Sequence, residues 1–435
     1  MTLNHLLLPC FLVLLHCTCV RAQDYVSYFT GDTTDVVTQP TGGVCLMGGR
    51  TENDEAIRWF LRRADGGDVV VLRASGSDGY NDYFYTELGV SINSVRTIVF
   101  ESGGAAGAEE VVQAISGAEA IWFAGGNQAN YVNYWRGTAV DSLIRVAVQD
   151  RNIVIGGTSA GMAILGSHYY SATNGGVTSA EALADPFNEF MTIDTARFLD
   201  IPLLRNLITD THFSERDRQG RFTAFMARAA AITPDRPFLG VACDEYTAVC
   251  IDPEGTASVY GTAGENDVAY FVRTSCDGGV DPELTAGVPM DWGSAEDPAL
   301  IVMSIPGDDT NPPTFDIPSF LPNEENWQFQ LWWAMEGEFR TTDIEPITCL
   351  INSTREVTDA SVEVFPNPAK DVLRVTAKWT FKHLSVLDSA GRIVRQQNLP
   401  EITSATFSIL GLSPGSYYLI VSGSENRAKR AFVVP

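Results

Sequence analysis

Histidine is scarce in this chain, with five residues in 435. His5 and His16 fall in the first 22 residues and His383 in the last 75, which leaves His168 and His212 for any reaction that needs an imidazole base. No Cys/His pair has zinc-ligand spacing, so neither a metal nor another cofactor is expected. Basic residues are also few: 29 Lys+Arg stand against 54 Asp+Glu, a formal charge of −25. Residues 361–435 hold nine Lys/Arg against five Asp/Glu, and residues 1–22 hold only Arg21, so the stretch between carries −30. That excess argues against nucleic acid and anionic membranes as partners and favours cationic ones by steering. Apolar runs long enough to span a bilayer are missing, which leaves no expected membrane span.

The longest apolar run, Leu6-Leu-Leu-Pro-Cys-Phe-Leu-Val-Leu-Leu15, is short and begins five residues into the chain. With Val20-Arg-Ala22 behind it as a small-residue cleavage site, residues 1–22 read as a signal peptide. Three of the eight cysteines lie there, and five remain: Cys45, Cys243, Cys250, Cys276 and Cys349. An odd count leaves one unpaired within the chain. Cys45, in an apolar strand-like run, reads as the buried free thiol, and Cys243–Cys250 and Cys276–Cys349 are the available bridges, with connectivity open.

What the chain does have is a large apolar content, 45%, with only 19% charged residues, the composition of a globular core. From Gly42 to Cys250, continuous apolar strands alternate with amphipathic helices. Strands are expected at Val44–Gly49, Asp68–Leu72, Thr97–Phe100, Ala120–Ala124 and Ile153–Ile155. Helices are expected at Asp54–Arg63, Glu109–Ile115 and Val140–Val148. Strands without polar alternation are buried on both faces, which specifies an α/β fold with a mostly parallel sheet and flanking helices. In such sheets, sites collect at the carboxyl ends of strands, where Gly48-Gly49, Gly125-Gly126 and Ser159 all fall. Residues 255–350, rich in Gly, Pro, Asp and Trp, read as a β- or loop-rich extension of the same 23–350 domain, with the tryptophans as core. A polar linker over 351–361 follows. Residues 362–435 then show short alternating strands with turns at Asp388-Ser-Ala-Gly391 and Ser413-Pro-Gly415, the pattern of a small β-sandwich.

The segment Asn152-Ile-Val-Ile-Gly-Gly-Thr-Ser-Ala-Gly-Met162 carries the chemistry. A strand enters Gly157-Thr-Ser-Ala-Gly161 and a helix is expected to leave it, the order of a nucleophile elbow that would present the Ser159 hydroxyl. With 38 glycines in the chain, the pentapeptide alone is weak, and its context decides. The base is His212, in Thr209-Asp-Thr-His-Phe213 at the end of an apolar run, in preference to His168 in a Tyr-rich segment. Asp244 or Glu245, after the apolar run Phe238–Cys243, is available to orient the imidazole. Three arginines within six residues, Arg216, Arg218 and Arg221, suit carboxylate recognition, or else form a solvated charged face with Glu215 and Asp217.

Four blocks in order give the chain a family resemblance: Phe123-Ala-Gly-Gly-Asn-Gln128, Gly156-Gly-Thr-Ser-Ala-Gly161, Asp210-Thr-His-Phe-Ser-Glu-Arg-Asp-Arg-Gln-Gly-Arg221 and Val241-Ala-Cys-Asp-Glu-Tyr-Thr-Ala248. Over roughly residues 40–270 it resembles the S51 serine peptidases and, within them, the cyanophycinases. The resemblance implies a fold like the class I glutamine amidotransferases, Ser159 as nucleophile, His212 as general base and Glu245 as its partner. It puts the Gly126 and Ala160 amides at the oxyanion hole, and Gln128, Asp210, Thr211, Arg216, Arg218 and Arg221 around the substrate. Cyanophycinases usually have glutamine where this chain has Thr211, a shorter side chain without an amide's donor and acceptor. The implied activity is hydrolysis of aspartyl bonds, β-Asp-Arg linkages of cyanophycin in the first place. An aspartyl dipeptidase, or another S51 peptidase on short peptides, is the alternative, and an inactive surface binding protein that keeps the fold is a further one. Phe365-Pro-Asn-Pro-Ala369, Leu412-Ser-Pro-Gly-Ser-Tyr-Tyr418 and the basic-then-apolar stretch Lys429–Val434 resemble the sorting domain of type IX secretion substrates. That implies the type IX machinery as a partner and a secreted or cell-surface location; a homodimer is a compatible assembly.

Overall fold

The computed structural model describes residues 24–194, 198–233, 237–274, 281–323, 327–343, 362–387, 393–422 and 427–435. The expected signal peptide, the 351–361 linker, the Gly391 turn, Cys276 and Cys349 lie outside them. The described residues fall into two compact units, divided between Glu345 and Pro346.

The first unit opens with β1 (Tyr25–Gly31), β2 (Val44–Met47) and helix α1 (Asp54–Arg62). α1 starts where the Asn53 side chain accepts the Ala56 amide, carries Asp54 and Glu55 in its first turn and ends on Arg62. A cap plus charges that oppose the helix dipole fixes both ends. β3 (Asp68–Arg73), β4 (Ser94–Phe100), α2 (Glu109–Gly117), β5 (Ala120–Phe123), α3 (Gln128–Trp135), α4 (Ala139–Asp150) and β6 (Val154–Thr158) follow. The four-residue helix α5 (Ala160–Ala163) leaves β6. Next come β7 (Leu207–Asp210), α6 (Gln219–Ile232), β8 (Leu239–Cys243), β9 (Ala248–Ile251), β10 (Thr256–Tyr260) and β11 (Val268–Thr274). β12 (Leu300–Pro306), β13 (Thr314–Asp316), β14 (Leu321–Pro322), β15 (Gln328–Met335) and β16 (Glu338–Asp343) complete the unit.

These strands make two principal sheets. The larger has the order β1-β4-β3-β5-β6-β2-β9-β10-β13-β14. Its five central strands, β4, β3, β5, β6 and β2, run parallel, and antiparallel strands extend it on both sides. The parallel centre is the part that the unbroken apolar runs specified, and each of those strands is almost wholly buried. The smaller sheet, β16-β15-β12-β11-β8-β7, is antiparallel except for the β7/β8 pair. The chain therefore leaves the first sheet after β6, builds β7 and β8 in the second, and returns through β9 beside β2.

Residues beyond 255 extend both sheets. β10, β13 and β14 widen the first, while β11, β12, β15 and β16 make most of the second. Trp292 and Trp332 are buried with Phe222, Phe225 and Leu300 in one apolar cluster, so these tryptophans are core. A second cluster packs α1 onto the first sheet through Ile57, Phe60, Trp122 and Val154.

The second unit is all β. Val372–Leu387 pairs with Val362–Phe365, Ile393–Ser408 and Gly415–Ser422, and the last of these pairs with Arg427–Val434. The sequence suggests separate short strands at 372–376 and 384–387. The structure joins them into one, with register shifts between Thr376 and His383 where the pattern breaks. Leu373, Val375, Phe381, Phe407, Leu419 and Phe432 form its core.

Candidate active site

β6 delivers Thr158 and Ser159 into a tight turn, with Ser159 at φ 50°, ψ −113°. Such a backbone conformation costs an ordinary residue energy, and it persists only where its surroundings enforce it. Two features do so here. The Ser159 amide donates to the Met47 carbonyl of the neighbouring strand at 3.0 Å. Gly161 lies so close to β5 that a side chain there would sit 2.1 Å from the Phe123 carbonyl oxygen. The glycine thus lets the turn fold down onto the sheet, and the serine projects.

His212 follows β7 by two residues and also has positive φ, 46°. Its amide donates to the Gly48 carbonyl at 3.0 Å, and its ring rests on Gly49, where a Cβ would come within 2.2 Å of the imidazole Cε1. Gly49 has φ 132°, so glycine is required there both by backbone conformation and by space. The result is a hydrogen-bonded chain. Ser159 Oγ lies 2.7 Å from His212 Nε2, and His212 Nδ1 lies 2.7 Å from Glu245 Oε1. Glu245 comes from the turn between β8 and β9. Its neighbour Asp244 points elsewhere, accepting the Ser214 amide at 2.7 Å and the Tyr270 hydroxyl at 3.4 Å. Of the two acids the sequence left open, Glu245 is the one on the imidazole.

His168 is far from this role. It is packed edge-on against Phe238, with ring nitrogens on Ser167 and Thr233, and burial lowers its pKa.

Electrostatics suit the imidazole to accept a proton. Burial pushes the His212 pKa below its ordinary value, Arg216 and Arg218 push the same way, and Glu245 opposes them. Burial alone would raise the Glu245 carboxyl, but the hydrogen bonds from Arg50 and His212 and their charges together hold it below the usual value. Asp244 is held by burial at about 7. Arg50, whose Nε donates to Glu245 Oε2 at 2.7 Å, has no counterpart in the sequence reading. Its position directly after Gly48-Gly49, at the carboxyl end of β2, was the available signal. Its side chain is 62% exposed, so this ion pair is wet on one side and buried on the other.

The remaining candidates divide by burial. The Gly125-Gly126 turn follows β5, and a Cβ at Gly125 would lie 3.7 Å from that of Ser159, so this turn flanks the serine. Gly126 is exposed, Gln128 opens α3 half-buried, and Ala160 opens α5. Tyr131 holds the turn by donating its hydroxyl to the Ala124 and Gly125 carbonyls at 2.9 and 3.0 Å. Arg216 is the open cation, 51% exposed and 3.9 Å from Glu245. Arg218 donates to the Thr211 carbonyl at 2.7 Å and to its hydroxyl at 3.3 Å, and burial lowers its pKa to about 10. Thr211 and Asp210 are buried. Arg221 is buried as well. Its guanidinium spans both Asp210 oxygens, with Nε on Oδ2 at 2.8 Å, and lies over the Tyr170 and Phe225 rings. The three arginines therefore do not act as one carboxylate-binding set: Arg221 is already neutralised inside the core. The reading of a solvated charged face fits Arg216 alone.

Cys243, Cys45 and Cys250 are free thiols, all buried. Of the two bridges left open by the sequence, Cys243–Cys250 is not formed, because Cys250 stands opposite Cys45 on β2, and Cys243 Sγ faces the Leu46 carbonyl. Among the described residues no group of three His, Cys, Asp or Glu is placed to hold a metal ion, and no helix is long and apolar enough to cross a membrane.

Residues 77–252 match Peptidase family S51 and residues 363–435 match the secretion system C-terminal sorting domain. Among curated proteins, the chain is 28% identical over 152 residues to a cyanophycinase of Nostoc sp., covering 35% of this chain and 45% of that one. It is 26% identical over 245 residues to a cyanophycinase of Synechococcus elongatus, covering 53% and 70%. The chain thus spans about half the length of the Nostoc relative. Among solved structures, a peptidase from an acI-B1 Actinobacterium aligns with TM-score 0.37 and 14% identity, over 58% of this chain and 93% of that one. A putative Peptidase E protein from Listeria monocytogenes EGD-e aligns with TM-score 0.34 and 13% identity, over 51% and 99%. The sorting domain assigns the protein to type IX secretion, to the cell surface or beyond. The residues that match Peptidase family S51 include Ser159, His212 and Glu245, and the match to the secretion system C-terminal sorting domain follows them in the chain.

Proposed function

We propose that this protein is a secreted serine peptidase that hydrolyses aspartyl bonds, with the β-Asp-Arg linkages of cyanophycin as its substrate. The observation that carries the reading is the unbroken chain Ser159 Oγ–His212 Nε2–His212 Nδ1–Glu245 Oε1, 2.7 Å at each link. His212, neutral because burial disfavours its charge, takes the hydroxyl proton as Ser159 attacks the carbonyl. Glu245 holds the imidazolium that forms, and Arg50 keeps that carboxylate ionised and oriented. The Gly126 and Ala160 amides receive the oxyanion. His212 then protonates the leaving amine, and water hydrolyses the acyl-enzyme on Ser159. Gln128, Arg216 and Arg218 border the substrate. Asp210, Thr211 and Arg221 act from below, by fixing the segment that carries His212.

Ser159→Ala should lower kcat on cyanophycin by a factor on the order of 10⁶ while the circular dichroism spectrum stays unchanged. Undiminished turnover would remove the serine from the mechanism. A second reading, cleavage of short aspartyl peptides, rests on Thr211. Its side chain is buried against Arg218 and too short to reach substrate as a glutamine would. Mass analysis of products from the polymer and from α- and β-aspartyl dipeptides separates the two.

A further inference from the structure

β2 and β9 lie side by side and antiparallel, and their register sets Cys45 directly opposite Cys250. Opposed residues in such a pair have Cα atoms about 4.5–5.5 Å apart, inside the range of about 4.4–6.8 Å that a disulfide spans. Both side chains point to the same face of the sheet, toward α1, and their sulfurs are 3.5 Å apart. Neither is exposed to solvent. Cys243 lies on β8, in the other sheet, and its sulfur is turned to the Leu46 carbonyl at 3.9 Å, whereas the Cys250 sulfur faces that of Cys45. The protein is exported, and thiols persist poorly outside the cell.

We propose that Cys45 and Cys250 form a disulfide in the mature protein, installed during export by a protein dithiol–disulfide oxidant. A thiolate of the pair attacks the oxidant's disulfide and gives a mixed disulfide. The second thiolate then displaces the oxidant's sulfur, so two protons and two electrons leave the cysteines and the oxidant becomes a dithiol. The exchange takes place before the strands close over the sulfurs, because the folded core shields both. The bond ties β2 to β9 just behind the site. β2 runs into Gly48-Gly49, on which the His212 ring rests, and β9 starts three residues after Glu245. Main-chain bonds already join these two turns: Gly48 donates to the Thr247 carbonyl at 2.9 Å and Tyr246 to that of Gly49 at 3.1 Å. The crosslink closes a loop of 205 residues, a separation at which a staple restricts the unfolded chain strongly. It stands independently of any substrate assignment.

The mature protein, recovered from the medium or surface of the exporting cell, is alkylated in denaturant without reduction and digested. The expected result is a Cys45–Cys250 linked peptide, 2 Da lighter than the two thiol peptides together, with Cys243 alkylated. Full alkylation of Cys45 and Cys250, or a link from either to another cysteine, overturns the proposal. A second measurement is the reductant-induced fall in melting temperature. It should be about 5 °C or more larger in the native chain than in Cys45→Ala, which has the same remaining cysteines. An equal fall in both chains also overturns it. Neither readout uses catalysis, so failure of the peptidase reading would leave both intact.

Discussion

Arg216 and Arg221 sit five residues apart and do opposite things. Arg216 keeps its guanidinium in water near Glu245, and its positive charge disfavours protonation of His212. Removing that charge favours the imidazolium, so the His212 pKa rises. The acidic limb of kcat/KM, which reports deprotonation of the free enzyme's base, should therefore move to higher pH in Arg216→Gln, measured on an uncharged ester. Arg221 is instead the buried half of an ion pair. Truncating it leaves Asp210 only the longer contact with Arg218 at 3.6 Å, which costs up to about 3 kcal/mol. Urea unfolding of Arg221→Ala should show that loss as a lower midpoint with an unchanged slope. In the sequence these two arginines look alike, because the pattern of charges gives no direction for a side chain. Asp210 is three residues from Phe213 and eleven from Arg221, and the ion pair that separates the two roles forms only when α6 docks.

At the level of elements, strands with unbroken apolar runs were legible: β2, β3, β5 and β6 fall where composition put them. β1 was not. Its sequence, Tyr-Val-Ser-Tyr-Phe-Thr-Gly, is half-exposed and mixed, as an antiparallel edge strand requires. Nor was the partition into two sheets legible, because an apolar run does not say which sheet it joins; Leu207–Asp210 and Leu239–Cys243 read as members of one alternation. The elbow was legible because Ser159 sits between a strand and glycines, and His212 because only two histidines competed. Arg50 was not, since its bond to Glu245 bridges 195 residues. The turn from β2 into α1 carries its own test. Gly49→Ala would drive a methyl into the His212 ring, so the imidazole must leave its position between Ser159 and Glu245. We expect kcat to fall at least about 10²-fold with little change in KM, in line with misplacement of a catalytic group.

At the largest scale, the first unit divides the proposed reacting groups between its two principal sheets. Ser159 ends a strand of the ten-stranded sheet, whereas His212 follows the edge strand of the six-stranded one and Glu245 follows its neighbour. The 2.7 Å contact between serine and imidazole is consequently a contact between sheets, held by the Gly48-Gly49 turn and the return of the chain through β9. Each sheet can keep its own hydrogen bonds while the two slip apart by an ångström. Hydrolysis would then act as a gauge of docking: in rising urea, activity should vanish at a lower concentration than the far-ultraviolet circular dichroism signal, and the two curves should coincide only if the sheets separate and melt together.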